Sequence, residues 1–217
     1  MRDLTLAVGS RVLMSGAHLS IEAGEEVGLT GANGVGKSTL LRTAAGFEQP
    51  AAGEVRYGKS VTDRAGGVRN GIGYAPATLD APGRLTVAEF IEMVMAARGL
   101  HIDASVKDLV GQLGIDSVLG STIDVLSMGE RKKVSIAAAF MHRPALALCD
   151  EPYEALDDDA AAGVRRVVGA FVYAGGAAVV CTHRHRFLRG SASRIVTVAG
   201  GRLKEVDVHK IGTGDER

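Results

Sequence analysis

Short apolar runs alternate with polar turns over the first thirty residues, and LTLAV, AHLSI and EVGLT read as strands separated at Gly9, Gly16 and Gly24. STLLRTAAG shifts to a helical period, after which GEVRYG and IGYAP return to strand-like texture. In TVAEFIEMVMAARGL the apolar residues Val87, Phe90, Ile91 and Val94 fall at i, i+3, i+4 and i+7, the stripe of an amphipathic helix. ASVKDLVGQLGI continues helical and Gly114 ends it. The final third alternates helical segments (MGERKKVSIAAAFMHR, DAAAGVRRVVGAFVYA) with apolar strands (ALALCD, AAVVCT). That alternation predicts a parallel sheet with crossover helices. The tail after Val206 is polar and reads as loose, and the chain shows no internal repeat.

Composition narrows the class of partner. The 217 residues are 46% hydrophobic and 23% charged with zero formal net charge, so no global field recruits nucleic acid or anionic lipid. The longest apolar stretches, IAAAFM and ALALC, fall far short of the ~20 residues a membrane span needs. MRDLTLAVGS carries charges and no apolar h-region, which argues against a signal peptide. Cys149 and Cys181 sit in apolar runs and read as buried, reduced thiols of a cytoplasmic protein.

Three segments carry chemistry. GANGVGKST, residues Gly31, Ala32, Asn33, Gly34, Val35, Gly36, Lys37, Ser38 and Thr39, has the G-x-x-x-x-G-K-[ST] spacing of a phosphate-binding loop. Its glycines let the backbone aim successive N–H groups at one point, Lys37 brings positive charge to the β/γ-phosphates, and Ser38 offers a hydroxyl to Mg²⁺. The strand EEVGLT before it and the helix after it place the phosphates at a helix N-terminus. ALALCDEP ends an apolar strand in Asp150 and Glu151, at the sheet edge where α/β ligands bind. Asp150 is expected to hold Mg²⁺ through water, and Glu151 to polarise the water that attacks the γ-phosphate. In LSMGERKKV, Ser127 and Gly129 open a helix, which reads either as an N-cap or as an anion site of hydroxyl and free N–H groups.

The order GANGVGKST, LSMGE, ALALCDEP, EALD and Thr182-His183 resembles the ATP-binding subunits of ABC transporters over essentially the whole chain. The resemblance implies an α/β fold of the ABC ATPase type in one domain, residues 1–217. Its parts are a P-loop NTPase core with a parallel sheet, an antiparallel β-subdomain, and a small helical subdomain near 78–125. It implies ATP and Mg²⁺ as cofactors and a dimer, of this chain or with a related subunit, around two ATP. Ser127 and Gly129 would then contact the γ-phosphate held by Lys37 of the other copy, Asp157 would link the two sites, and His183 would sense the γ-phosphate.

Three positions depart from the family pattern. Ala77 stands where a glutamine is usual, and Val8 where an aromatic residue stacks on adenine, with Arg11 a candidate to cover the base. Met128 and Glu130 replace a glycine and a glutamine. The Ala77 exchange implies slower or less tightly coupled turnover, and the Val8 exchange weakens any preference for ATP over GTP. Asp158 and Asp159 read as helix-start charges, and Arg165 and Arg166 as a solvated helix face. His183 and His185, read in the sequence without Cys or carboxylate partners, are a weak pattern for a metal site.

The segments ERKKVSIAAAFMHRP and DEPYEALD look most like small export ATPases, which implies a membrane permease on a separate chain and a place at the inner face of the cell membrane. The coupling element of such a permease would dock between the Ala77 loop and the Phe90/Met93 helix, where Met93 and Met95 also read as core filling. An alternative is a soluble ABC ATPase that acts on a protein scaffold, as in iron–sulfur cluster assembly. DNA-repair members are set aside because the short stretch between Lys37 and Ser127 leaves no room for their long insertions.

Overall fold

The computed structural model describes residues 1–58 and 71–207. The expectation of a loose tail falls on residues 208–217, outside that range.

The first layer is a small antiparallel sheet. Strand β1 (Arg2–Val8) pairs with β2 (Arg11–Ala17) on one side and with a short β4 (Ala52–Glu54) on the other. The second strand is therefore RVLMSGA rather than AHLSI, of which only Ala17 is in β2. Register slips between Leu4↔Ala17 and Leu6↔Met14, and Gly16 takes φ 61° at that bulge, so the glycine that reads as a turn lies inside the strand. GEVRYG is likewise shortened: only Gly53 and Glu54 of it are in β4, while Val55–Gly58 are not strand.

The main sheet has six strands in the order β5-β6-β7-β3-β8-β9. These are β3 (Glu26–Gly31), β5 (Ile72–Ala75), β6 (Leu146–Asp150), β7 (Ala177–Cys181), β8 (Arg194–Ala199) and β9 (Arg202–Val206). All neighbours run parallel except β9, which turns back along β8. Strands β3 and β7 are buried along nearly their whole length, as strands covered on both faces must be.

Alternate residues of the central strands feed two apolar clusters. Ala147, Cys149, Ala178 and Val180 face one side with helices α2 (Val87–Ala96), α3 (Ala104–Leu113), α4 (Met128–Phe140) and α5 (Asp158–Tyr173). Leu148, Val179, Cys181, Val27 and Leu29 face the other, with α1 (Lys37–Ala44) and the antiparallel sheet. Burial holds the Cys149 thiol neutral, pushing its pKa up to about 12, and raises that of Cys181 as well.

The helices begin where the sequence supplies a cap. Thr86 and Glu89 close a capping box on α2, Asp103 caps α3 by accepting from the Val106 N–H, and Gly114 ends α3 at φ 59°. On α2, Phe90 and Met95 are buried and Met93 is exposed, so of the two methionines only Met95 fills the core. On α5, Arg166 is exposed but Arg165 is half-buried, which corrects the reading of both as solvated. Helix α4 lies close on β5 because Gly73 has no side chain; a Cβ there would stand 1.9 Å from the Ala139 carbonyl oxygen.

Candidate phosphate site

Register brings the chemistry to one edge of the main sheet. Leu29 of β3 and Asp150 of β6 both pair with Cys181 of β7, and Ala75 of β5 pairs with Cys149. The loop after Gly31, the Glu151 turn, Thr182-His183 and the Pro76–Ala77 turn therefore leave the sheet side by side at the C-terminal ends of its strands. That is where open α/β sheets bind ligands.

A cleft of about 320 Å³ opens there, lined by Leu13, Asn33, Gly34, Gly36, Lys37, Ser38, Thr39, Ala77, Asp150 and Glu151. Gly34 and Gly36 hold left-handed φ of 72° and 107°, which curl the loop back over the start of α1. A Cβ on Gly36 would come within 3.2 Å of the Leu13 side chain, so the loop rests on β2. The buried Lys37 ammonium donates to the Gly31 carbonyl at 2.7 Å and to the Ala32 carbonyl at 3.0 Å.

The carboxylate pair ends β6. Asp150 is buried, while Glu151 is half-buried and takes φ 48°, a conformation costly for a residue with a side chain. The Glu151 N–H donates to the Cys181 carbonyl at 2.8 Å, fixing that turn to the neighbouring strand. Glu151 Oε2 lies 3.0 Å from His183 Nδ1 and accepts from the His183 N–H at 3.3 Å. The base candidate and the histidine are thus one unit. Ser38 and Asp150 offer hard oxygen donors in the same cleft, and no group of three His, Cys, Asp or Glu suited to a metal occurs among the described residues. This donor set fits Mg²⁺, which takes one or two protein ligands and completes its shell from phosphates and water.

Ser127, Gly129 and Asp157 stand outside this cleft, at the starts of α4 and α5. Ser127 caps α4 in a closed box: its Oγ donates to Glu130 Oε2 at 2.7 Å and accepts from the Glu130 N–H at 3.2 Å. The Ser127 hydroxyl and the Ser127 N–H, which donates to the same Oε2 at 2.8 Å, stabilise the ionised Glu130 carboxylate and lower its pKa. A Cβ on Gly129 would lie 2.9 Å from the Ala155 carbonyl oxygen, so the LSMGE and EALD turns touch within one chain. Asp157 Oδ1 accepts from the Ala160 N–H at 2.8 Å. Val125 and Met128, on either side of Ser127, are 70% and 72% exposed, an apolar rim left open by the described residues.

Three participants were not legible in the sequence. Leu13 lines the cleft from a strand the pattern obscured. Arg184 donates from one Nη1 to the carbonyls of Tyr153 at 2.7 Å and Leu156 at 3.4 Å, and its guanidinium lies 4.8 Å from the Phe187 ring centroid. It fastens the residue after His183 to the EALD turn. Lys132 is buried, and its ammonium donates to the Ala77 carbonyl at 2.5 Å. Desolvation lowers its pKa against the opposing pull of Glu154, Asp150 and Glu151. A lysine in the first turns of a polar-looking helix gives no sign of burial.

The profile of the ABC transporter family matches residues 14–154. The cytochrome c biogenesis ATP-binding export protein CcmA of Cupriavidus pinatubonensis is 34% identical over 184 residues, 84% of this chain and 81% of that protein. The lipoprotein-releasing system ATP-binding protein LolD of Maricaulis maris is 36% identical over 215 residues, 93% of this chain and 92% of that one. An import protein matches too: the methionine import ATP-binding protein MetN of Caulobacter vibrioides, 30% identical over 93% of this chain and 63% of its own length. Among solved structures, a dimeric bacterial ABC transporter cassette superposes with a TM-score of 0.83 at 22% identity, covering 95% of this chain and 97% of that one.

Proposed function

Because this chain belongs to the ABC transporter ATP-binding family, we propose that it hydrolyses ATP to drive export through a membrane permease carried on a separate chain. ATP binding and Mg²⁺-dependent hydrolysis come with the family, as does the ABC ATPase fold. Relatives include both export and import proteins, so direction is the finer part of the proposal. It is supported by the CcmA likeness and by the export-like segments ERKKVSIAAAFMHRP and DEPYEALD.

The observation that carries the enzymatic reading is the convergence of Lys37, Ser38, Asp150 and Glu151 in one cleft, with His183 on Glu151. Lys37 and the loop N–H groups would bind the β- and γ-phosphates. Mg²⁺ at Ser38 and Asp150 would offset phosphate charge as it moves to the leaving oxygen. Glu151 would accept the proton of the attacking water, with His183 orienting its carboxylate, so that ADP and inorganic phosphate leave. The strained φ of Glu151 fits a side chain held for a task.

Ser127, Gly129 and Asp157 would act across a dimer of this chain. The exposed Val125 and Met128 beside Ser127 favour a partner surface there, and one structural neighbour is dimeric. No helix among the described residues is long and apolar enough to cross a membrane, so a membrane location would come through the permease. The exposed Met93 of α2 and the half-buried Ala77 are the residues at which the permease would dock.

The test is affinity purification of the tagged chain from detergent-solubilised cells, with identification of what accompanies it. A multi-span membrane protein is the expected companion, and its type would narrow direction and cargo. Recovery of only a soluble scaffold, such as an iron–sulfur assembly protein, would overturn the transport reading and leave the ATPase chemistry standing.

A further inference from the structure

Helix α4 carries the LSMGE turn at its start and passes beside the phosphate cleft one turn later. There Lys132 points inward with 5% of its surface exposed. Its ammonium donates to the Ala77 carbonyl at 2.5 Å and reaches the Asp150 carbonyl at 3.5 Å. Both are backbone groups at the rim of the cleft, one from the turn after β5 and one from the strand that delivers Asp150 and Glu151. A buried ammonium is costly unless its donors are used, and a methionine of similar length would fill the space without that cost. Ala77 has only a methyl group, so its side chain cannot tie its turn to the nucleotide site. Its carbonyl is the polar handle that remains.

We propose that Lys132 is a positioning residue for ATP hydrolysis, a strut that fixes the Ala77 turn against the Asp150–Glu151 strand end and so keeps the cleft at one width. The proposal rests on the reading of this cleft as the site of hydrolysis. It also gives α4 a second duty. Because Lys132 lies about a turn and a half from Ser127, any displacement of the LSMGE turn by a second copy bound over it reaches Ala77 through one side chain. The Ala77 turn, lacking a glutamine, would then report on the neighbouring copy through its backbone.

The test uses the full chain with Lys132→Met, Lys132→Arg and Lys132→Gln, measuring kcat and KM for MgATP together with amide exchange along the chain. Lys132→Met is expected to lower kcat about tenfold with KM within about twofold, as for loss of one charge-assisted hydrogen bond that positions reacting groups. Lys132→Arg should restore most of the rate, and Lys132→Gln should fall between. Amide exchange should rise in β5, whose end leads into the Ala77 turn, and stay unchanged in β3, β7 and α5. A kcat for Lys132→Met within twofold of the parent would overturn the proposal. So would a general rise in exchange with kcat and KM both impaired, the mark of a merely structural lysine. If Lys132→Met does not fold, equal rates for the Gln and Arg variants would overturn it. A parent chain that hydrolyses no ATP would refute the functional reading instead, and local exchange in β5 would still decide the strut.

Discussion

Gly73→Ala is a sharp test of how α4 is seated on the sheet. Gly73 lies in β5 outside the left-handed region, so alanine meets no backbone penalty. By stiffening the unfolded chain the change would even add about 0.4–1 kcal/mol of stability. Packing opposes it. The new Cβ would stand 1.9 Å from the Ala139 carbonyl oxygen, 2.9 Å from its carbon and 3.1 Å from Pro144 Cγ. Two of those atoms are backbone and cannot rotate away, so the helix end or the strand must shift. Overpacking costs about 1–3 kcal/mol, occasionally more, and rigid neighbours put this site at the upper end. Net destabilisation is then about 2 kcal/mol or more, a fall in melting temperature of roughly 4–8 °C for a chain of this size. Thermal unfolding followed by circular dichroism measures it, with Gly169→Ala as the opposite case. Gly169 is exposed in α5, a Cβ there meets nothing within 4 Å, and helix propensity favours alanine by about 0.8–1 kcal/mol. That variant should melt about 2–4 °C higher. A Gly73→Ala protein melting within about 2 °C of the parent would refute the close seating of α4 on β5.

Glu151→Gln should cut phosphate release at least ~100-fold while ATP binding persists, and should leave an ATP-dependent dimer detectable by size-exclusion chromatography; a monomer at saturating ATP would count against the shared-site arrangement. His142 supplies a pH prediction. Burial and the nearby Arg98 charge depress its pKa to about 4, and Nε2 shares a hydrogen bond with the Ile72 carbonyl at 3.2 Å. Above pH ~6.5 neither folded nor unfolded chain takes the proton, and between there and pH ~4 only the unfolded chain does, so stability falls as pH falls through that window. At pH ~5 the loss is about 2 kcal/mol, and urea unfolding at pH ~7 and ~5 should show it in the parent and not in His142→Gln. Equal losses in both proteins would remove His142 as the cause.

The residues of the candidate site were legible because each belongs to a short local pattern. GANGVGKST needs only its own spacing, and ALALCDEP shows an apolar strand ending in acid, so the loop and the carboxylates could be placed without knowing the fold. Helix starts at Thr86 and Asp103 carry their caps in sequence. What stayed hidden depends on contacts between distant segments. AHLSI mimics a strand because Leu19 is apolar for burial alone, while the bulge at Gly16 disguises RVLMSGA. RIVTVA and RLKEV, which extend the sheet beyond β3, carry no motif. Lys132 and Arg184 spend their charge on backbone carbonyls of other loops, and a carbonyl leaves no trace in a sequence.

The strand order has a consequence for how the chain is made. Strand β3 leads into the phosphate loop and is synthesised early, yet both its neighbours, β7 and β8, belong to the last part of the chain. Glu26 pairs with Ala178, and Val27 with both Val179 and Arg194. Such distant pairings demand large loop closures and form slowly. A nascent chain that stops before Ala177 therefore holds the complete GANGVGKST segment on a strand with no neighbour on either side. Nucleotide cannot guide the early stages of folding; it can only capture a sheet that the C-terminal strands have already closed.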